Sequence, residues 1–178
     1  MTVSLIDLNK WSGDLNAAIE KFDCGISEIN FYLRKFAEDK DQQATSRVIL
    51  LADDNDIFGF ASFSIDTIKI VSVEKANYPI LKIDAIGIDR NHKGNGFGTQ
   101  LLLSAFRISL NIHQTLPIDG IFLVALRDAV EFYEKFDIKN LNAPPEWVMN
   151  QMEFQMGMTI DDILALGVEP YSDVASLR

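Results

Sequence analysis

The chain has 178 residues, of which 48% are hydrophobic and 24% are charged, with a formal net charge of −10. This composition is typical of a globular protein and argues against extensive disorder. Apolar runs stay well short of the roughly 20 residues that a membrane helix needs, so we expect no membrane span and no membrane partner. The single cysteine, Cys24, excludes an internal disulfide framework and favours a cytoplasmic location. The negative charge disfavours nucleic-acid binding unless a local basic patch opposes it.

The length predicts one domain, residues 1–178, with residues 140–178 as a C-terminal strand and helix extension. An edge strand is expected between Val3 and Leu8. Helices are expected around Asp14 to Lys21 and again from Ile26 to Ala37, where apolar residues recur every three or four positions.

A hairpin is predicted next, with strands Arg47 to Ala52 and Ile57 to Ser64 joined by the polar turn at residues 53–56. The alternating, β-branched segment Thr67 to Val73 predicts a third strand. A central strand is expected within residues 81–89, because Ile83, Ala85 and Gly87 alternate there with other residues.

The second half of the chain alternates helices and strands. A helix is predicted from Thr99, followed by a short apolar strand, Gly120 to Leu126, which we expect to be buried on both faces and parallel to the central strand. Residues 129–136 predict a second helix. The segment Pro144 to Met156 predicts a last strand, and Thr159 resembles the N-cap of a final helix that Gly167 and Pro170 close.

The chemistry is concentrated at the glycine-rich turn of residues 93–98, which stands between the central strand and the helix. A strand, a glycine loop and a helix start in succession form an anion site, because the unpaired N–H groups and the helix dipole point the same way. The expected ligand is a phosphate ester. A dinucleotide site is disfavoured because about 80 residues precede the loop and Asp119 is a poor substitute for the ribose-binding acid. A Walker-type loop is excluded because no Gly-Lys-Ser/Thr follows.

The order of elements, the loop and the helix Ala129-x-x-Phe132-Tyr133-x-x-Phe136 together resemble the GNAT acetyltransferases. The family's loop pattern is Gln/Arg-x-x-Gly-x-Gly/Ala; Gly96 and Gly98 match it, and Lys93 stands at its first position. Within the superfamily, several segments resemble the toxin subgroup of toxin–antitoxin systems, which acetylates aminoacyl-tRNA. These segments are Phe22-Asp23-Cys24-Gly25, Asn30, Ser46-Arg47 and Phe132 to Phe136.

The resemblance implies a GNAT-like α/β (α+β) fold, in which a mixed central sheet is flanked by helices and a splayed central strand leads into a pyrophosphate-binding loop and helix. It also implies acetyl-CoA as co-substrate and no metal. The implied donor-binding residues are Ile86 and Ile88 on the central strand, followed by Lys93, Gly94, Asn95, Gly96, Phe97, Gly98 and Thr99. Tyr133 is the implied general acid, and backbone donors near Ile86 and Ile88 would stabilise the oxyanion.

The predicted function is acetyl transfer to a primary amine. An α-amino group, with a pKa of about 7.7–8.0, is far more often neutral at pH 7 than a lysine with a pKa of about 10.4, which favours an α-amine such as that of aminoacyl-tRNA. The alternatives are a small cationic amine, a protein N-terminus, or a non-catalytic CoA-binding or interaction module. Implied partners are the amine acceptor, aminoacyl-tRNA and a small antitoxin, and a homodimer stays open.

Some of these residues also have a purely structural interpretation. Tyr133 lies on the apolar stripe of its helix, as a packed tyrosine would. Cys24 is interpreted as a small buried packing residue, and neither His92 nor His113 has a metal-ligand companion at i+3 or i+4. The sequence departs from the family where Ala85 replaces arginine, Leu126 replaces asparagine, and Asp137-Ile138 replaces Gly-Phe.

Overall fold

The computed structural model describes residues 3–39, 44–69, 77–141 and 152–172. The chain divides into two compact units, the first made of residues 1–64, 84–105 and 171–178, and the second made of residues 65–83 and 106–170. The single domain expected from the length remains a prediction. In the described ranges, no helix combines the length and the apolar character that crossing a bilayer requires.

The described residues form one seven-stranded mixed sheet. Its strands are β1 (Ser4–Asp7), β2 (Ser46–Ala52), β3 (Ile57–Ile68), β4 (Tyr78–Ile88), β5 (Gly120–Leu126), β6 (Lys139–Asn140) and β7 (Glu153–Thr159). The strand order is β1-β2-β3-β4-β5-β7-β6. The β1–β2, β2–β3, β5–β7 and β6–β7 pairs are antiparallel, and the β4–β5 pair is parallel. The mixed α/β architecture predicted from the sequence is therefore confirmed.

Helices connect and cover these strands. They are α1 (Leu15–Lys21), α2 (Ser27–Glu38), α3 (Phe97–His113), α4 (Val130–Glu134) and α5 (Ile160–Ala165), with short 3-10 turns at Leu8–Lys10, Arg90–His92 and Arg127–Ala129. Helix α1 begins after Asp14, whose side chain accepts a hydrogen bond from Ala17 N–H as an N-cap.

The first unit has its core between α1, α2 and the β2–β3 hairpin. Leu33 and Phe36 of α2 are completely or almost completely buried, as are Leu50 and Phe60 of the hairpin. The Phe22 ring meets the Phe60 ring edge-on at 5.7 Å between centroids. This packing follows directly from the apolar stripe of α2 and the nearly continuous apolar run of β2.

Strand β4 contributes to this core through Gly87. A Cβ at Gly87 would lie 2.8 Å from the Phe60 ring and 2.9 Å from Ile29 of α2, so only glycine allows the helix and β3 to approach the strand this closely. Gly87 lies between Ile86 and Ile88, so this close packing holds in place the part of β4 that carries the predicted donor-binding residues.

The second unit is built on β5 and β7. Residues Ile80 to Ile83 of β4 pair with Gly120 to Leu123 of β5, and the whole of β5 pairs with β7. One face of these strands is buried, including Leu123 and Met156. Helix α5 begins with a capping box in which Thr159 and Asp162 exchange hydrogen bonds, in agreement with the N-cap predicted at Thr159.

Several predicted elements differ from the structure. Thr67 and Ile68 belong to the end of β3 and do not start a separate third strand; residues 70–73 lie outside the described residues. Phe97 and Gly98, predicted as part of the glycine turn, already form the first turn of α3. Strand β5 is not buried on both faces throughout, because Val124 and Leu126 are 47% and 38% exposed.

Two elements near the C-terminus have bounds other than those predicted. Helix α4 covers only Val130–Glu134, since a 3-10 turn precedes it and the chain leaves the helix after Tyr133 and Glu134. The last strand is Glu153–Thr159, later than predicted, and the preceding part of that prediction, residues 144–151, lies outside the described residues. The two-residue strand β6 has too few residues to give a periodicity signal and was not predicted.

Candidate active site

In the first unit, β4 leads through a short turn into the glycine loop. The Asp89 carboxylate accepts a hydrogen bond from Asn91 N–H and so starts the 3-10 turn Arg90–His92. Gly94 and Gly96 then adopt φ values of 83° and 76°, in the left-handed region. A Cβ at either glycine would meet no heavy atom within 4 Å, so the backbone conformation, and not a lack of space, requires glycine at these two positions.

The loop ends at the start of a long helix. Gln100 N–H donates to Gly96 O at 3.1 Å, which makes Gly96 the N-cap of the 17-residue helix α3. The N–H groups of Gly96, Phe97, Gly98 and Thr99 therefore have no acceptor inside the helix. Lys93, Gly94, Asn95 and Gly96 are exposed, and the next three residues are partly exposed. This arrangement is suited to binding an anion.

The end of β4 presents backbone donors beside this loop. Asp89 N–H donates to Phe58 O of β3 at 2.9 Å. Because N–H groups alternate between the two edges of a strand, the N–H groups of Ile88 and Ile86 point to the edge of β4 that faces away from β3. Both residues are partly exposed, and they lie beyond the four-residue ladder with β5, which ends at Ile83.

A hydrogen-bond network connects the α1–α2 turn (residues 22–26) to Asp89 and Arg90, which precede the glycine loop (residues 93–98, called the GNAT loop below). Asp23 N–H donates to Asp89 Oδ2 at 3.1 Å, and Arg90 N–H donates to Asp23 O at 2.9 Å. The Asp23 carboxylate accepts hydrogen bonds from Asn30 Nδ2 and Gly25 N–H, both at 2.8 Å, and forms an ion pair with Arg90. Cys24 N–H completes the turn by donating to Asn30 Oδ1 at 2.9 Å.

These contacts set the charge state of the two acids. The hydrogen bond from Asn30 lowers the pKa of Asp23, assisted by Gly25 N–H and the nearby Arg90 and Arg34. Burial by itself raises the pKa of Asp89, but hydrogen bonds from Asp23 N–H, Asn91 N–H and His92 outweigh it, so the net shift of its pKa is downward. Both carboxylates are therefore ionised at neutral pH.

Two other side chains of this region that could be reactive, His92 and Cys24, pack against neighbouring residues. His92 lies with Nδ1 3.3 Å from Asp89 Oδ1, and its ring meets Phe58 edge-on at 4.6 Å between centroids. Cys24 is buried, and burial raises the pKa of its thiol, which agrees with its prediction as a packing residue.

Tyr133 belongs to the second unit, on α4. Its side chain is 8% exposed, and its ring meets Phe132 at 5.1 Å between centroids. Burial raises the pKa of the phenol to about 12. Ile138 N–H donates to Tyr133 O at 3.4 Å, because Asp137 turns the chain back with φ 61°. The tyrosine is thus held at the end of a short helix whose exit depends on one left-handed residue.

The second unit also contains a cavity of about 450 Å³, at the start of β5 and the end of β7. Its described lining includes Ile80, Gly120, Lys139 and Met158, and no predicted site residue is among the described residues that line it. We therefore do not assign the predicted chemistry to this cavity. The residues that the structure describes also contain no cluster of three or more His, Cys, Asp or Glu able to hold a metal ion.

Comparison with known proteins identifies the family to which this loop and strand belong. The acetyltransferase (GNAT) family pattern matches residues 16–138, more than half of the chain. The chain belongs to the acetyltransferase (GNAT) family. As a GNAT protein it is an acetyl-CoA-dependent N-acetyltransferase.

The following relatives share less than 30% sequence identity with this chain. The chain is 27% identical over 143 residues to the "tRNA-acetylating toxin" of Mycobacterium tuberculosis (strain ATCC 25618 / H37Rv), covering 76% of this chain and 86% of that protein. Solved structures that share the fold of this chain include a mutant of the AtaT toxin bound to the C-terminus of the antitoxin AtaR, and AtaT complexed with acetyl-methionyl-tRNAfMet. The first has a TM-score of 0.76 at 19% identity and covers 97% of this chain and 100% of that chain. The second has a TM-score of 0.76 at 18% identity and covers 93% and 99%.

The structure also adds residues that sequence reasoning did not assign to the site. Asp89 and Arg90 connect the α1–α2 turn to the GNAT loop through backbone and side-chain contacts. The sequence indicated one part of this network, because Asp23, Cys24, Gly25 and Asn30 belong to segments that resemble the GNAT toxin subgroup. Their partners across the sequence could not be found from spacing, because 66 residues separate Asp23 from Asp89.

Proposed function

We propose that this GNAT enzyme acetylates the α-amino group of an aminoacyl-tRNA and serves as the toxin of a toxin–antitoxin pair. The observation that carries this proposal is the similarity to a tRNA-acetylating toxin over 86% of that protein's length. Structural likeness to AtaT in complex with its antitoxin and with an acetylated aminoacyl-tRNA is in agreement with it.

Donor binding is proposed at the residues of the first unit. The N–H groups of Gly94 to Thr99 would hold the pyrophosphate of acetyl-CoA, with Lys93 adding a positive charge at the mouth of the loop. The N–H groups of Ile86 and Ile88 would hold the pantetheine arm and the carbonyl oxygen of the thioester. Their orientation away from β3, inferred from the Asp89–Phe58 hydrogen bond, supports this role.

We propose Tyr133 as the general acid. In acetyl transfer the amine nitrogen attacks the thioester carbonyl carbon, the C–S bond breaks, the nitrogen loses a proton to solvent, and the thiolate takes one from the acid. With a pKa of about 12, Tyr133 stays protonated throughout the neutral range and has a proton to give. Solvent then reprotonates the phenolate.

The proposal is tested by incubating purified protein with labelled acetyl-CoA and a set of aminoacyl-tRNAs, then measuring acetylated product. Transfer to aminoacyl-tRNA, but not to deacylated tRNA, is expected. Labelling of a small cationic amine or a peptide N-terminus in preference to every aminoacyl-tRNA would replace the acceptor, an outcome that the net charge of −10 makes worth including. If no amine is acetylated, the proposed function is wrong, and the alternative of a non-catalytic CoA-binding module is favoured.

Tyr133→Phe tests the acid separately. Removing the hydroxyl should lower kcat by about 100-fold, the scale of general acid catalysis, and leave the Kd for acetyl-CoA unchanged. Phe132→Leu on the same helix is the matched control, because it alters packing beside the tyrosine without removing an ionisable proton. Equal kcat values for Tyr133→Phe and the unmodified enzyme would reject the acid role.

A further inference from the structure

The sheet of the first unit carries a polar cluster that the proposed donor site does not use. It consists of Ser46 at the start of β2, Ser64 of β3 and Asp84 of β4. All three residues are partly exposed, so a ligand can reach the hydroxyl and carboxylate groups of the cluster.

The two serines lie on the face of the sheet that α2 covers. Ser46 pairs directly with Ser64 across β2 and β3, so their side chains share one face. Ser62, two residues before Ser64, forms a hydrogen bond with the Tyr32 hydroxyl of α2 at 2.8 Å. Because side chains alternate along a strand, Ser62 and Ser64 both face α2.

The Asp84 carboxylate joins the serines on this face. Ser64 Oγ donates to Asp84 Oδ1 at 3.1 Å, and Ser46 Oγ makes a longer contact of 3.5 Å with Oδ2. Ala85, the next residue of β4, packs against the core between α2 and the hairpin. Two successive residues of β4 are therefore turned toward one face, as in a β-bulge, a device that re-aims a side chain next to an active site.

A carboxylate in such a cluster is suited to binding a cation. An ionised carboxylate can accept up to about four hydrogen bonds, so the two serine contacts do not exhaust it. A guanidinium or ammonium group binds a carboxylate more strongly than a neutral donor does, and guanidinium can do so through two hydrogen bonds. At longer range, the net charge of −10 attracts a cation in the same direction.

The cluster lies close to the residue proposed to hold the thioester. Asp84 precedes Ile86 by two residues on β4, which corresponds to about 7 Å along a strand. The attacking amine has to approach the thioester carbonyl carbon to within about 3–3.5 Å. A long side chain on the carbon that carries this amine is therefore within reach of Asp84.

We infer that Asp84, positioned by Ser46 and Ser64, binds the side chain of the acceptor's aminoacyl group and selects a cationic one, arginyl or lysyl. This inference rests on the proposed function and names the class of substrate within it. Asp84 acts on the choice of acceptor and takes no part in proton transfer.

The experiment charges one tRNA chemically with either arginine or citrulline. Citrulline has nearly the shape of arginine but carries a neutral urea group in place of guanidinium, and the shared tRNA keeps every RNA contact the same. The readout is the ratio of kcat/KM for arginyl-tRNA to that for citrullinyl-tRNA, in which any loss of folded enzyme cancels. Asp84→Asn is compared with Asp54→Asn, which makes the same charge change at an exposed acid in the hairpin turn, at the other end of β2.

We expect the unmodified enzyme to favour arginyl-tRNA by about tenfold or more, the scale of a hydrogen bond to a charged group. Asp84→Asn should bring the ratio close to one, and Asp54→Asn should keep it. Ser64→Ala should lower the ratio in part, and Ser64→Thr, which retains a hydroxyl, should restore it. A ratio near one in the unmodified enzyme would overturn the inference, as would an Asp84→Asn variant that loses activity equally toward both acceptors.

The amides of arginine and citrulline, used as acceptors without RNA, separate this inference from the proposed function. If no aminoacyl-tRNA is acetylated, the proposed function is wrong, and a preference for arginine amide that Asp84→Asn removes would still support cation selection by Asp84. If aminoacyl-tRNA is acetylated without preference for arginyl, the proposed function stands and the inference is wrong. If neither the charged tRNAs nor the amides show a preference for the cationic side chain, the inference is rejected whatever the acceptor.

Discussion

The general-acid role proposed for Tyr133 predicts how the reaction should respond to pH. Because the pKa of Tyr133 is about 12, the phenol keeps its proton at every pH at which the protein is normally assayed. The acceptor amine, with a pKa of about 7.7–8.0, must instead lose its proton to react. We expect kcat/KM for an α-amine acceptor to rise up to about pH 8 and then stay level to about pH 10, measured with initial rates at constant ionic strength. A fall above pH 8 would indicate an acid with a much lower pKa.

Asp137 shows how one residue can hold a backbone conformation that its type rarely adopts. Its φ is 61°, at the position where glycine is common in the GNAT family. Aspartate tolerates the left-handed region better than most residues, and a β-branched side chain tolerates it least. Asp137→Val should therefore lower the free energy of unfolding by about 1–2 kcal/mol, whereas Asp137→Gly should change it by less than about 1 kcal/mol, in urea denaturation. Equal losses for both would show that the aspartate side chain matters and not its φ.

Gly96 and Gly98 follow each other closely at the end of the GNAT loop, but glycine is required only at Gly96. Gly96 has φ 76°, so Gly96→Ala should cost about 1 kcal/mol of stability and should also raise KM for acetyl-CoA, because the N-cap N–H groups would shift. Gly98 lies inside α3, where alanine is favoured, and the family pattern allows alanine there. Gly98→Ala is therefore the control: it should leave KM for acetyl-CoA close to that of the unmodified enzyme and should not lower stability. Thermal unfolding and donor titration measure the two effects.

The elements also show what could and could not be predicted from the sequence. The hairpin, α2 and the parallel β4–β5 arrangement were predicted because their apolar periodicity and turn residues are local signals. The start of α3 was placed too late because Phe97 and Gly98 look like loop residues, and only the Gln100–Gly96 hydrogen bond identifies Gly96 as the N-cap. The apolar run of β5 could not show that Val124 and Leu126 are exposed, because burial of a strand depends on which other elements cover it.

At the scale of the whole molecule, the net charge of −10 is a poor guide to any particular surface. At the α1–α2 turn, Asp89 accepts a hydrogen bond from Asp23 N–H, and Asp23 forms an ion pair with the 63% exposed side chain of Arg90, so these charges are arranged by contacts within the protein. The sequence determines the sum of the charges, but the hydrogen bonds that bury Asp89 and occupy Asp23 join residues far apart in the chain. The hydrogen bond between Asp23 N–H and Asp89 could for this reason not be predicted from the sequence.

The same inward-bonded acids should make the stability of the whole protein depend on acid pH. The pKa of Asp89 is lowered in the folded state, so this carboxylate adds stability above its unfolded pKa of about 3.9, and that contribution is lost as pH falls through the folded value. Asp53, whose pKa is lowered by hydrogen bonds from Asn55 N–H and then Asp56 N–H, acts in the same direction. We therefore expect the free energy of unfolding to be nearly constant from about pH 7 to pH 5 and to fall below about pH 4.

Asp89→Asn tests how much of this acid dependence comes from one carboxylate. The variant should lose about 2 kcal/mol at neutral pH, because an amide oxygen replaces a charged acceptor of several hydrogen bonds, and its stability should fall less steeply in acid. Asp54→Asn removes an exposed charge in the hairpin turn and is the control, and urea unfolding curves at several pH values between about 2.5 and 7 supply the comparison. An Asp89→Asn variant whose stability falls with acid as steeply as that of the unmodified protein would mean that other carboxylates carry the effect.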